Sequence, residues 1–259
     1  MRYLGNKTRL LAFIGEVLRH RGIRAGTAVD PFSGTASVAR ALKRRRFDVV
    51  AGDLMEYAYV FARAYVEAAA EPTFPALAGK LDGRTATLAG VVAYLNRLPP
   101  APAFLHHHYT PAGDDGRRHG RMYFTPRNAA RIDAIRARLE TWRRADRIGQ
   151  DGYYLLLAAL LEAADAVANT TGVYAACVKT WQPNAKRPLR LRVPRVIPRN
   201  GCRAVRQDAL ALVEHIEPFD LLYLDPPYNA RQYAAYYHIP ELIARGWFDA
   251  PIALRGKTG

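Results

Sequence analysis

The sequence predicts an α/β chain, a mainly parallel sheet with covering helices, interrupted by a mainly helical insertion. Three observations carry this. Helical and strand periodicities alternate through the first 70 residues. The alternation resumes near residue 201 and leads into the apolar run Leu221-Leu222-Tyr223-Leu224, closed by Asp225-Pro226-Pro227-Tyr228. Between these stretches no strand alternation is evident, and prolines and long helical patterns dominate.

Residues 7–20 read as an amphipathic helix with Leu10, Leu11, Ile14 and Leu18 on one face. Thr27 to Asp30 reads as a short buried strand, broken by Pro31-Phe32-Ser33-Gly34. A helix over 36–45 follows, then a strand from Phe47 to Asp53 and a helix from Met55 to Ala70. Thr125-Pro126 opens another helix, with Thr125 as cap and proline at the first helical position. Its apolar face is Ile132, Ile135, Leu139 and Trp142; Arg131, Arg136, Arg138, Arg143 and Arg144 are assigned mostly to the other faces. Residues 151–168 are apolar nearly all round, as a buried helix is. Residues 183–200 hold several prolines and arginines and read as a loop or irregular edge. Strands at 202–206 and 219–225, joined by a short helix to His215, complete the pattern. The expected division is residues 1–70 with 201–259 as one domain and 71–200 as the insertion.

With 259 residues, the chain can bury a sizeable core unaided. Apolar residues at 50% and charged residues at 24% exclude a disordered tail, a collagen and a coiled coil. Two cysteines, Cys177 and Cys202, exclude a disulfide scaffold and a four-cysteine zinc site and fit a reducing cytoplasm. Both read most simply as small buried apolar side chains. Lys and Arg number 38 against 23 Asp and Glu, a net charge of +15. Such a surplus suits a polyanionic partner, nucleic acid first; a high-GC codon bias toward Arg and Ala is the other reading. The N-terminus lacks a signal-peptide core. The run Tyr153 to Leu161 is too short to span a bilayer, so no membrane association is expected.

Asp225-Pro226-Pro227-Tyr228 places a carboxylate and two N–H-free prolines directly after a buried strand. Carbonyl acceptors beside a carboxylate suit a substrate donating two hydrogen bonds, such as an exocyclic amine, and Tyr228 offers a stacking face. In open α/β sheets ligands bind at the carboxyl ends of strands, where this group lies. Asp30-Pro31-Phe32-Ser33-Gly34 is a small-residue turn from strand to helix where a ligand can approach the backbone; a plain loop is the other reading. Asp53, ending the second strand, suits a ribose diol or a helix cap equally. His106-His107-His108 has no partner at ligand spacing, so no metal is expected. Gly256-Lys257-Thr258 lacks the preceding glycine of a phosphate loop, since Pro251 stands there.

Taken in order, Arg2-Tyr3-Leu4-Gly5-Asn6-Lys7, Asp30-Pro31-Phe32-Ser33-Gly34, Asp53 and Asp225-Pro226-Pro227-Tyr228 resemble the Dam-type class of DNA adenine-specific methyltransferases, α group. Arg121 to Thr125, Asn169 to Tyr174 and Tyr236-Tyr237-His238 are similar to its restriction–modification branch. The resemblance implies methyl transfer from S-adenosyl-L-methionine to N6 of adenine flipped out of double-stranded DNA, and admits a cognate restriction endonuclease as partner. It implies that Tyr3 and Lys7 contact the cofactor, that Asp30, Phe32, Ser33 and Gly34 surround its methionine part, and that Asp53 holds its ribose. Asp208 is the weaker match to the acid that accepts from the cofactor's adenine amine. Asp225 and the Pro226 carbonyl, set by Pro227, would hold the target amine, with Tyr228 stacked on the base. The insertion would be the target-recognition region.

Two departures stand out. The second glycine of the family loop is Ala36 here, a change that tolerates a helix start. The family sheet has seven strands and four are legible here, so the sheet is expected to be incomplete at the C-terminal end. Two alternatives remain: a catalytically inactive, truncated DNA-binding fragment, and an amino-methyltransferase acting on cytosine or RNA.

Overall fold

A computed structural model describes residues 7–176, 178–227 and 233–259. Tyr3, Cys177, Tyr228 and the other residues of 1–6 and 228–232 lie outside the described residues. In chain order the elements are α1 (Leu11–His20), β1 (Gly26–Asp30), α2 (Ser37–Arg44), β2 (Phe47–Asp53), α3 (Glu56–Ala62), α4 (Leu88–Leu95), α5 (Phe104–Tyr109), α6 (Asp114–Arg118), α7 (Pro126–Arg144), α8 (Gln150–Val167), β3 (Arg203–Arg206), α9 (Ala209–Glu214), β4 (Leu221–Leu222), α10 (Tyr233–Tyr236) and α11 (His238–Arg245). The strands pair in parallel in the order β3-β2-β1-β4. The chain divides into a sheet unit, residues 5–71 with 195–231, and a helical unit, residues 1–4, 72–194 and 232–259.

In the sheet unit, Ala28, Val29, Val49, Val50 and Ala51 are all buried, as central parallel strands require. Val29 and Val50 are register partners and pack with Leu212 of α9. Gly52 admits that packing: a Cβ there would meet Leu212 Cδ2 at 2.4 Å. β4 is held in register by Asp220, whose N–H donates to Thr27 O (2.9 Å) and whose Oδ2 accepts from Thr27 N–H (2.7 Å). Lys43 is buried, and its ammonium donates to Val66 O (2.6 Å) and Ala68 O (2.8 Å). Burial pushes its pKa down.

At Ala36 the helix starts as expected, but from a left-handed residue. Its φ of 56° and ψ of 25° put it in the left-handed region just before α2, with its side chain fully buried. The substitution of glycine at this turn costs about 1–2 kcal/mol of backbone strain.

The helical unit is built on α7 and α8. Ile132, Ile135, Leu139 and Trp142 of α7 are buried as the periodicity requires, and α8 is buried on nearly all sides. Thr125 Oγ1 accepts from Asn128 N–H (3.4 Å), capping α7. Arg136 departs from the predicted solvent faces. It is 1% exposed, donates to Ile243 O (2.8 Å) and Ala244 O (3.3 Å), and pairs with Glu140 (3.1 Å). A guanidinium on the last carbonyls of α11 satisfies orphan acceptors there. That anchorage is one reason 232–259 falls within the helical unit, where the sequence assigned 201–259 to the sheet domain. Among the described residues no helix is long and apolar enough to cross a membrane.

Candidate active site

A parallel sheet puts all its strand ends on one edge, and here those ends carry acids. β1 ends in Asp30 and β2 in Asp53. β4 runs on through Tyr223, whose N–H donates to Val29 O (2.9 Å), to Asp225. Asp208 follows β3.

Asp30 is 1% exposed, and its Oδ1 has no hydrogen-bond partner. Burial pushes its pKa up to about 7; the Phe32 N–H works against the rise, and the charges of Asp53 and Asp225 add to it. Asp53 is half-buried, and burial raises its pKa against hydrogen bonds from the N–H groups of Met55, Gly34 and Leu54. Its Oδ2 accepts from Gly34 N–H (2.9 Å) and its Oδ1 from Met55 N–H (2.9 Å). One carboxylate therefore ties the loop after β1 to the start of α3. Ser33 is buried with its Oγ unpartnered, while its N–H donates to Gly52 O (2.9 Å). Gly34 adopts a φ of 51°, which glycine takes without strain. Phe32 is half-buried beside them.

Lys7 Nζ lies 3.0 Å from Asp225 Oδ1, both side chains being half-buried. The sequence separated these residues into a cofactor motif and a substrate motif; the fold joins them as an ion pair. Pro226 and Pro227 are exposed at the end of the strand. Burial, then the charges of Asp225 and Asp30, push the Tyr223 hydroxyl up to about 12. Sequence reasoning missed Tyr223, whose only signal was its place two residues before Asp225. Asp208 is exposed, and its Oδ1 accepts from Leu210 N–H (3.0 Å) and Ala211 N–H (3.3 Å), capping α9. Tyr3 and Tyr228 lie outside the described residues.

The histidine run lies on α5 of the helical unit. His108 Nδ1 is 2.8 Å from Asp115 Oδ2, which also takes Arg121 (2.7 Å). Its surroundings are those of a structural ion-pair cluster. Cys202 is buried and its Sγ accepts from Val49 N–H (3.4 Å).

The profile of the D12 class N6 adenine-specific DNA methyltransferases matches residues 3–251. The chain is 37% identical to the type II methyltransferase M.NlaIII of Neisseria lactamica, over 100% of this chain and 72% of that protein. It is 35% identical to the modification methylase LlaI of Lactococcus lactis subsp. lactis, over 100% of this chain and 40% of that one. With the type II methyltransferase M.FokI of Planomicrobium okeanokoites it shares 34% identity, over 100% of this chain and 38% of the relative. The chain thus spans about two-fifths of the length of the latter two. No solved structure matches significantly.

Proposed function

The chain belongs to the D12 class of N6 adenine-specific DNA methyltransferases, and from that membership we propose that its sheet unit binds S-adenosyl-L-methionine and methylates adenine in double-stranded DNA, as the modification enzyme of a restriction–modification system. The observation that carries the site reading is the meeting of Asp30, Asp53 and Asp225 at one edge of the sheet, close enough that the latter two raise the pKa of the first.

The loop fits the cofactor. Two buried polar atoms, Asp30 Oδ1 and Ser33 Oγ, await a partner there, and Gly34 supplies a turn without a side chain. Asp30, Phe32, Ser33 and Gly34 would surround the methionine part, Asp53 the ribose, and Tyr3 and Lys7 the remaining contacts. The adenine-amine role of Asp208 rests on the oxygen that does not cap α9. When bound, the cofactor supplies an electrophilic sulfonium methyl.

Asp225 and the Pro226 carbonyl accept hydrogen bonds from the target amine. This localises a lone pair otherwise conjugated into the ring. Asp225 orients the amine and receives its proton late, since a carboxylate is a weak base. Positioning supplies most of the acceleration, up to about 7–11 kcal/mol in favourable cases. The adenine must leave the duplex, at a cost of a few kcal/mol, and stacking on Tyr228, about 1–3 kcal/mol, offsets part of that. The helical unit would read the target sequence. A cytoplasmic location and a cognate restriction endonuclease fit this role.

The test is methyl incorporation from radiolabelled S-adenosyl-L-methionine into mixed-sequence DNA. Asp225→Ala is expected to lose about a hundred- to ten-thousandfold in rate while still binding the cofactor. Label in cytosine or RNA, or an unchanged rate in the variant, would overturn the reading.

A further inference from the structure

Residues 188–193 of the helical unit form an extended strap that pairs with no strand, entered through a turn at 183–187. Its backbone is held by side-chain amides instead. Asn128 Nδ2 donates to Ala185 O (3.2 Å) and Arg187 O (2.8 Å), and Asn128 Oδ1 accepts from Leu189 N–H (3.0 Å). Asn96 Nδ2 donates to Leu191 O (2.9 Å), and its Oδ1 accepts from Leu191 N–H (2.8 Å). A carboxamide carries one acceptor and an NH2 donor, so each asparagine replaces part of a neighbouring strand's backbone. Just before the strap, Asn184 Nδ2 donates to Ala168 O (2.9 Å) and Ala166 O (3.2 Å).

The clamps decide which way each side chain faces. Leu189 and Leu191 are buried at 2% exposure each, whereas Lys186, Arg187, Arg190 and Arg192 are exposed. Arg190 and Arg192 therefore share the outer face, about 6.6 Å apart at the extended rise of ~3.3 Å per residue. No acid balances them. From Ala166 to Gln207 the sequence contains no Asp or Glu, and no carboxylate among the described residues pairs with these four cations. Five other arginines of the same unit do have acids: Arg136, Arg143 and Arg144 on Glu140, Arg121 on Asp115 and Arg117 on Asp114. A row of unmatched cations on a clamped backbone lowers the entropy cost of binding a row of phosphates.

We infer that this strap and the turn leading into it are a rail for the DNA phosphate backbone: Lys186, Arg187, Arg190 and Arg192 take phosphates, and Asn96 and Asn128 hold the rail in shape. It rests on the DNA-substrate reading and adds the surface that carries affinity without sequence readout.

The experiment measures binding of the full chain to a non-cognate DNA duplex as a function of KCl. Each phosphate contact contributes about −0.9 to the slope of log K against log salt. Arg190→Ala/Arg192→Ala is expected to reduce the slope by about 2 and the affinity at low salt by about tenfold or more, with cofactor binding unchanged. Arg44→Gln/Arg46→Gln, exposed where α2 ends and β2 has yet to begin, removes the same charge from the opposite edge of the sheet from the strand ends. It is expected to leave the slope nearly intact. Asn96→Ala is expected to speed hydrogen exchange at the Leu191 amide and lower the slope with cofactor affinity unaltered. Equal slopes for wild type and the rail variant, or equal losses in both arginine pairs, would overturn the rail. A wild type that binds DNA with the rail's slope yet transfers no methyl would refute the site reading and leave the rail standing. No DNA binding by the wild type would overturn both.

Discussion

The two units treat their buried acids in opposite ways. In the helical unit acids are consumed by partners. Asp133 accepts from the N–H groups of Ala103 (2.9 Å), Leu105 (2.9 Å) and His106 (3.0 Å), which closes the start of α5. Glu140 takes Arg136, Arg143 and Arg144. Asp115 takes His108, His119 and Arg121; burial opposes its ionisation, but those partners hold its carboxyl below the usual range. In the sheet unit Asp30 is as buried as Asp133 and yet has an oxygen with nothing to bond. Burying a polar atom without a partner costs about 1–3 kcal/mol, so a fold keeps one mainly where a ligand completes it. Among the fully buried acids, Asp133 is satisfied within the scaffold, and Asp30 keeps an open oxygen where the proposed cofactor site lies.

The largest effect that tests this contrast is on Glu140. Burial alone would raise its pKa, but the hydrogen bonds from Arg143, Arg144 and Arg136 hold it at about 2. Glu140→Ala leaves Arg136 buried without its carboxylate and is expected to destabilise the fold by about 3 kcal/mol, read from the urea midpoint. Because the folded pKa lies below the ordinary 4.5, the stability Glu140 contributes is whole above about pH 4.5 and is lost as pH falls toward 2. A variant as stable as the wild type would break the contrast from the scaffold side.

From the site side, Asp53→Asn keeps the shape but removes the charge. It is expected to weaken S-adenosyl-L-methionine binding about tenfold by calorimetry, with a smaller effect on the unfolding midpoint. An unaltered dissociation constant removes Asp53 from the site.

Asp30 sharpens the comparison through pH. Its folded pKa of about 7 lies above the ordinary 3.8, so the ligand-free fold retains a proton that the unfolded chain releases. Its contribution to stability therefore falls as pH rises from about 4 toward 7, opposite in sign to Glu140. In the proposed site only the ionised form would pair with the cofactor's ammonium group, so cofactor affinity is expected to rise severalfold as pH passes through about 7. Asp30→Asn should flatten that profile; a persisting slope assigns the titration elsewhere. The smallest effect belongs to Ala36→Gly, which relieves the left-handed strain but adds freedom to the unfolded chain. A net gain below about 1 kcal/mol in thermal stability is expected.

Much of this was legible in the sequence, for a physical reason. Periodicity records which side of a segment is buried, so the four strands, α7 and α8 could be read within a few residues. Prolines, capping residues and strand-ending acids act locally, so Thr125, Asp53 and Asp225 announced their positions. The exposed–buried alternation of Pro188 to Arg192 was also present, hidden among prolines that read as a loop.

Tertiary structure alone decided the pairings. Arg136 looked like one more solvent-facing arginine until α11 brought its C-terminal carbonyls over it. Residues 232–259 followed the sheet in sequence and joined the helical unit in space. Lys7 and Asp225, 218 residues apart in sequence, form an ion pair that only the fold brings together. Asn96 and Asn128 carry no motif at all, since a side-chain amide acquires meaning only from the backbone it faces. The sequence by itself determined the elements, the acids at their ends and the class of chemistry. Which of those acids and cations would be matched and which left open was settled by packing, because a hydrogen bond depends on distance in space and sequence spacing does not encode it.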